Sequence, residues 1–580
     1  MTNSNKEQVL PSGGGTATQD RSTGQGQDKV LQVENLHVEF VHEGVVNNAV
    51  TDVSFRVDRG STLGIVGESG SGKSVSSLAI MGLLPQPPAC RVTGNIKLFP
   101  RGQAEPVAQI VPGRHVSMIF QEPMTSLNPV HKCGAQVVEM LLAHEQVDRA
   151  EARRRAIELF EEVLLPRPDK IFDSYPHELS GGQRQRVMIA MALICHPDIL
   201  IADEPTTALD VTVQKAILEL LRTLQDKYRM GIIFITHDLG VIAQIADHVA
   251  VMYKGAIVEQ GTASQVLHHP QHPYTQGLLA CRPPMDSRPR RLPTVQDYLG
   301  GTVPTPLSLP EQPPRSDDPT PLLRVRDLSV TYPLKKNILG HPTQVLNAVD
   351  GLSFEIHKGE TVGLVGESGC GKSTLGRAIL QLTPLSGGTV EYEGTRLDHL
   401  SPRDRTALRR KIQIVFQDPY SSLNPRITVG DAILEPLRCH RLLPDDTHRR
   451  RRARQLMEQV GLPPDWYNRY PHQLSGGQRQ RVCIARALAL QPQLVICDES
   501  VSALDVSVQA QVLNLLADLK EQFGYTYLFI THNLAVVKYF SDRILVMQQG
   551  RIVEQGTSTE LFSNPRHPYT RRLLAAIPKV

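Results

Sequence analysis

Apolar and polar positions alternate over residues 31–40 (LQVENLHVEF) and again over residues 323–332 (LRVRDLSVTY), each run ending in an aromatic ring. That two-residue period predicts a strand with one buried face at the head of each half of the chain. Downstream the rhythm changes. Short unbroken apolar runs (TLGIVG, DILIADE, GIIFITH) each precede a longer helical pattern, with helices expected from Lys73, Val213 and Leu239. This alternation predicts a largely parallel sheet covered by helices, because strands buried on both sides have no polar face to show. Both halves then close on a hairpin, VAVMYKGAIVEQG and ILVMQQGRIVEQG, turning at Lys-Gly and Gln-Gly pairs. Helical spacing in EARRRAIELFEEVL and RRRRARQLMEQVGL adds a helical lobe to each half, its arginine runs lying on a solvated face.

The halves are copies of one plan. LSGGQRQRV occurs at residues 179–187 and at 474–482, 295 positions apart, and 580 residues are too many for one core. The expected organisation is α/β throughout: a polar, disordered tail over 1–28, a first domain over 29–282, an extended Pro-rich linker over 283–321 and a second domain over 322–580. Each domain is expected to hold a mainly parallel sheet core, an antiparallel β subdomain and a helical lobe. Composition then removes whole classes of function. The 62 basic and 59 acidic residues leave a net charge of +3, which argues against a nucleic-acid partner. The 8 cysteines form no CxxC pair, so neither a zinc site nor a disulfide framework is expected, and reduced thiols in the cytosol fit. No run reaches the roughly 20 apolar residues that span a bilayer, so a membrane role must pass through partners.

Chemistry enters at residues 67–74 (GESGSGKS) and 366–373 (GESGCGKS), both matching GxxxxGK[ST] between an apolar strand and a helix. Gly67, Gly70 and Gly72, like Gly366, Gly369 and Gly371, let the backbone wrap with its N–H groups inward, at the positive end of the following helix. Lys73 and Lys372 are expected on the β- and γ-phosphates of ATP, and the Ser74 and Ser373 hydroxyls on Mg2+. Thr374 offers a further hydroxyl where the first loop has Val75, which predicts unequal nucleotide binding. Cys370 inside the second loop is expected to gain thiolate character from the helix N-terminus, so that alkylation inhibits and ATP protects. Two apolar strands end in paired acids, Asp203–Glu204 and Asp498–Glu499. Strand alternation would turn the first acid to Mg2+ and the second to the attacking water.

LSGGQ at residues 179–183 and 474–478 is the signature of the ABC transporter ATPases, and the sequence resembles that family through both halves. The resemblance implies that Phe40 and Tyr332 stack on adenine, and that Gln121 and Gln417 contact Mg2+ and sense a permease. Glu204 and Glu499 would polarise the hydrolytic water, with His237 and His532 at the γ-phosphate. Asp210 and Asp505 would couple the two sites. Ser180, Gly182 and Gln183 would cover ATP held by Lys372, and Ser475, Gly477 and Gln478 would cover ATP held by Lys73. The metal set implied is Ser74, Gln121 and Asp203, with Ser373, Gln417 and Asp498. Both halves keep their acids, so two competent sites are expected, although Ser500 stands where the first half has Pro205.

FQEPMTSLNP, FQDPYSSLNP and HPYT at residues 272–275 and 567–570 look like the peptide and nickel importer branch of that family. This implies the energising subunit of an importer of di- or oligopeptides, glutathione or a similar small solute. Two integral membrane permeases would be its partners and an extracytoplasmic solute-binding protein an indirect one, placing the chain peripherally on the cytoplasmic face of a bacterial inner membrane. An iron-sulfur cluster is not expected, since only Cys281 follows the first HPYT before the linker. The alternative is a soluble twin-ATPase translation factor on ribosomes, whose linker would be helical and highly charged rather than Pro-rich.

Overall fold

The apolar runs become inner strands: Thr62–Val66, Ile199–Asp203 and Gly231–Thr236 are buried at every position, as are Thr361–Val365, Leu494–Asp498 and Thr526–Ile530. This computed structural model describes residues 29–42, 44–121, 126–206, 209–301, 320–336, 342–502 and 504–577; the tail expected over 1–28 lies outside them. In the first half Val116–Ile119, Ile199–Asp203, Gly231–Thr236, Thr62–Val66 and His248–Tyr253 lie side by side in that order, all parallel. Ala256–Thr262 closes the edge antiparallel. The second half repeats the order with Ile412–Val415, Leu494–Asp498, Thr526–Ile530, Thr361–Val365, Arg543–Gln548 and Arg551–Thr557. Each closing hairpin has two left-handed residues at its turn, Lys254 (φ 48°) with Gly255 (φ 85°) and Gln549 (φ 47°) with Gly550 (φ 83°), the backbone that suits a twisted ribbon.

A smaller antiparallel sheet stands beside each core. Lys29–His42 pairs with Val45–Asp58 and Cys90–Leu98, and Leu323–Lys336 pairs with Pro342–Ile356 and Gly387–Tyr392. The alternation of the first strand skips one step, from buried Val33 to buried Leu36, because Asn35 (φ 48°) is an inserted bulge residue. Asp327 (φ 48°) does the same between Val325 and Leu328. The helical lobes form where expected, as Cys133–His144 with Arg149–Glu162 and Val429–Cys439 with Asp446–Gln459. Their arginines are used within the lobe: Arg154 and Arg155 pair with Glu151, and Arg153 lies over the Phe172 ring at 4.1 Å.

The expectation of an extended linker over 283–321 is corrected in its first part; residues 302–319 lie outside the described ones. The segment leaves the first half after Pro273–Ala280 and docks on the second. Arg288 donates to the Tyr539 carbonyl at 2.8 Å and pairs with the buried Asp542 carboxylate at 3.0 Å. Leu292 is fully buried, and its backbone N–H and C=O take the side-chain amide of Asn514 at 2.9 and 2.8 Å. Lys538 donates to the Met285 carbonyl. The chain then returns as Val295–Leu299 to pack on Pro273–Ala280, so closely that a Cβ on Gly277 would sit 2.9 Å from Val295 Cα. Arg288 and Leu292 anchor this excursion on the second half.

Candidate active site

Three neighbouring strands deliver the chemistry to one crevice at their carboxyl ends. The first phosphate loop follows Thr62–Val66, Glu204 follows Ile199–Asp203, and His237 follows Gly231–Thr236. Lys73 donates to the carbonyls of Gly67 (2.8 Å) and Glu68 (2.9 Å), folded back over its own loop. Burial pulls Lys73 below the ordinary lysine range, with Asp505, Glu204, Asp203 and Glu68 offsetting only part of that pull. Lys372 repeats the posture on Gly366 and Glu367 at 2.8 and 2.9 Å. Gly67 and Gly366 are required by crowding: a Cβ on either would sit 2.2 Å from the carbonyl oxygen of Met252 or Met547.

Around each glutamate the same two kinds of side chain converge, a glutamine and a histidine. Gln121 Nε2 donates to Glu204 Oε2 at 2.9 Å, and His237 Nδ1 is 3.2 Å from Glu204 Oε1. Gln417 Nε2 donates to Glu499 Oε2 at 2.8 Å, and His532 Nδ1 stands 3.5 Å from that oxygen. Burial lowers the affinity of His237 for a proton, but the Glu204 carboxylate, with Asp505 and Asp238, carries it above the ordinary histidine value. Burial would raise Glu499; His532 and Lys372 hold it below the usual carboxylate range. Burial pushes Asp203 and Asp498 upward, with Ser74 and Ser373 hydrogen bonds opposing, the latter at 2.8 Å.

Alternation along a strand is not what separates the paired acids. Each strand ends at its aspartate, and Glu204 and Glu499 adopt left-handed backbone, φ 47° and 48°, with their N–H groups on the Ile235 and Ile530 carbonyls at 2.9 Å. A non-glycine residue at such φ is strained by about 1–3 kcal/mol, and here the strain re-aims the carboxylate into the crevice.

The signature serines cap the helices Gly181–Leu193 and Gly476–Leu488, each closed by a reciprocal bond with Gln183 or Gln478. Gly182 and Gly477 serve packing, since a Cβ there would lie 2.9 Å from Val213 and 2.2 Å from Val508; at Gly476 it would meet open space. Phe40 is half-buried against its own core, and Tyr332 is exposed. Cys370 departs from expectation: burial pushes its thiol up, and Lys372, 3.9 Å away, opposes this only in part.

The halves touch through these loops, and unequally. Asp505 Oδ2 accepts from the N–H of Ser69 in the first phosphate loop at 2.9 Å. Asp210 instead caps its own helix at Val213, and the crossing contact there is Thr212 Oγ1 to Glu367 Oε1, 2.9 Å. Two residues that the sequence reading left without a role also arrive here: Tyr274 and Tyr569 of the HPYT segments accept from the N–H of Glu68 (3.0 Å) and Glu367 (2.9 Å). Their signal was the recurrence of HPYT in both halves.

The model of the ABC transporter family matches residues 50–207 and 349–502, and that of the oligopeptide/dipeptide transporter C-terminal region matches residues 258–310 and 553–580. The chain is 51% identical to the glutathione import ATP-binding protein GsiA of Escherichia coli (strain K12), over 95% of this chain and 89% of that protein. It is equally similar, at 51% over the same shares, to the protein of that name from Shigella sonnei. A solved dimeric ATP-binding cassette in a post-hydrolysis state with ADP and Pi aligns with 41% of the chain and 98% of its own, at 31% identity and TM-score 0.37. Twin phosphate loops, twin signatures and the two matched C-terminal regions make one statement: this chain belongs to the ABC transporter ATPases, as an ATP-binding and ATP-hydrolysing chain with oligopeptide/dipeptide transporter C-terminal regions.

Proposed function

We propose that this chain energises the import of glutathione or a closely related short peptide through two membrane permeases, from a peripheral position on the cytoplasmic side of the membrane. The observation carrying this reading is the 51% identity to glutathione import ATP-binding proteins over 95% of the chain. Among the described residues no helix is long and apolar enough to cross a membrane. The matched C-terminal regions favour this over the ribosomal alternative.

In the mechanism, each phosphate loop binds ATP with its N–H groups and with a lysine that swings off its own carbonyls. Ser475 of one half covers the nucleotide on Lys73, and Ser180 the nucleotide on Lys372. Glu204 and Glu499 orient water, each held by its glutamine and histidine. Ser74, Gln121 and Asp203, with Ser373, Gln417 and Asp498, are all-oxygen donor sets fit for Mg2+, and the upward push on both buried aspartates is what a nearby cation relieves. When bound, Mg2+ neutralises phosphate charge. Closing the halves pulls on the permeases, and hydrolysis releases them.

The test is a tagged pull-down from detergent-solubilised membranes with mass spectrometry of what co-purifies. Two multi-span permeases and a binding protein carrying glutathione are expected; ribosomes in their place overturn the reading.

A further inference from the structure

The HPYT segments have a local logic that ends at the nucleotide site. Glu259 accepts the N–H groups of Gln271 (2.8 Å) and His272 (3.1 Å), and Glu554 accepts those of Arg566 (2.7 Å) and His567 (3.0 Å), fixing where each segment starts. His272 and His567 cap the next helix by accepting from the tyrosine N–H at 3.1 and 3.2 Å. Pro273 and Pro568 occupy the first helical position, where no N–H is needed. The tyrosine ring then points into the protein. Tyr274 is fully buried with the Tyr253 ring 4.3 Å away, and Tyr569 is 2% exposed.

Each hydroxyl meets one particular peptide unit. The Glu68 N–H donates to Tyr274 Oη at 3.0 Å, and the carbonyl of that same unit, Gly67 O, accepts from Lys73 Nζ at 2.8 Å. The second half repeats both bonds, Glu367 N–H to Tyr569 at 2.9 Å and Lys372 to Gly366 O at 2.8 Å. N–H and C=O of a trans peptide point in opposite directions, so a hydroxyl holding one end fixes the aim of the other. Burial pushes both phenols up and keeps them as O–H.

We propose that Tyr274 and Tyr569 are positioning residues of the ATPase, each setting the peptide that parks the phosphate-binding lysine of its own half. They touch no nucleotide; they pre-organise the empty loop that receives it. Without the hydroxyl the Glu68 or Glu367 N–H is orphaned, the peptide is free to turn, and ATP must order the loop on binding. Bound phosphates restore that order, so the loss falls on affinity and spares turnover at saturation. The inference rests on the ATPase and is independent of the cargo.

The test compares purified full-length chain with Tyr274→Phe, Tyr569→Phe and the double variant, which keep the buried ring. Photo-crosslinking with 8-azido-ATP, its labelled peptides assigned to a half by mass spectrometry, reads each site separately. Each variant is expected to raise the dissociation constant of its own half about three- to tenfold, leaving the other half within about twofold. KM for ATP should rise likewise, with kcat at saturating ATP within about twofold. The nucleotide-free melting temperature should stay within about 2 °C of wild type. Unchanged dissociation constants, with or without a fallen melting temperature, would overturn the proposal. So would a loss of kcat at unchanged KM.

Discussion

At the residue scale, the left-handed backbone at Glu204 and Glu499 shows that both halves carry the same strained acid. Glu204→Gln and Glu499→Gln remove the proposed proton acceptor while keeping shape and hydrogen-bonding reach. Each is expected to cut ATP turnover at least about 100-fold and to accumulate a closed, ATP-bound form, measured by steady-state hydrolysis and nucleotide retention. Full turnover in either variant would mark that site as degenerate. The signature glycines divide differently. Gly477→Ala drives a methyl to 2.2 Å from Val508 and should lower stability by about 1–3 kcal/mol in thermal unfolding. Gly476→Ala faces open space and should leave unfolding alone while cutting ATPase, because in the proposed mechanism the added methyl would stand at the surface that covers ATP. Cys370 should label with iodoacetamide more slowly than exposed Cys439 at neutral pH, since burial holds its thiol protonated. Motif spacing made the identity of these side chains legible in the chain. What each backbone does was not legible, because a positive φ at a glutamate is imposed by the Ile235 and Ile530 carbonyls, which no local pattern encodes.

At the scale of elements, the two-residue and helical periods located strands and lobes, and the hairpin turns followed from their glycines. The failure fell on the linker, where proline content predicts an extended course and indicates neither the short Val295–Leu299 helix nor what the chain lies against. Its anchors come from the second half, at positions whose partners in the first half differ: Asn514 corresponds to Glu219, and Tyr539 to Gln244. Asn514 acts as a one-residue strand, closing both backbone groups of Leu292. Asn514→Ala would leave that buried N–H and C=O unpaired, a loss of about 1–3 kcal/mol per orphaned group. The strap should then open, and trypsin should cut after Arg291 several-fold faster than in wild type, followed by mass spectrometry of the fragments. Equal cutting would show that Arg288 and its carboxylate partner Asp542 hold the strap by themselves.

At the scale of the whole molecule, the repeat makes a pair of phosphate loops whose cross-half contacts differ. Thr374 opposite Val75 suggested inequality inside the loops; the structure adds a second source between them. In one crossing a carboxylate, Asp505, takes the Ser69 N–H and lends its charge to buried Lys73. In the other a neutral hydroxyl, Thr212, reaches Glu367 and is shared with Asp210. Asp505→Ala removes an ionised acceptor together with the largest charge that supports Lys73, whereas Thr212→Val removes a neutral donor already shared between two acids. Both crossings end on a carboxylate, but the single Thr212 hydroxyl proton is divided between Glu367 and Asp210, whereas the acceptor lost with Asp505 leaves a backbone N–H unpaired at the loop. Asp505→Ala is therefore expected to weaken ATP binding at the Lys73 site about tenfold, and Thr212→Val to weaken the Lys372 site about threefold or less, read by crosslinking each half separately. Equal losses would mean that the two crossings are energetically alike, and any inequality of the pair would then have to come from the phosphate loops themselves.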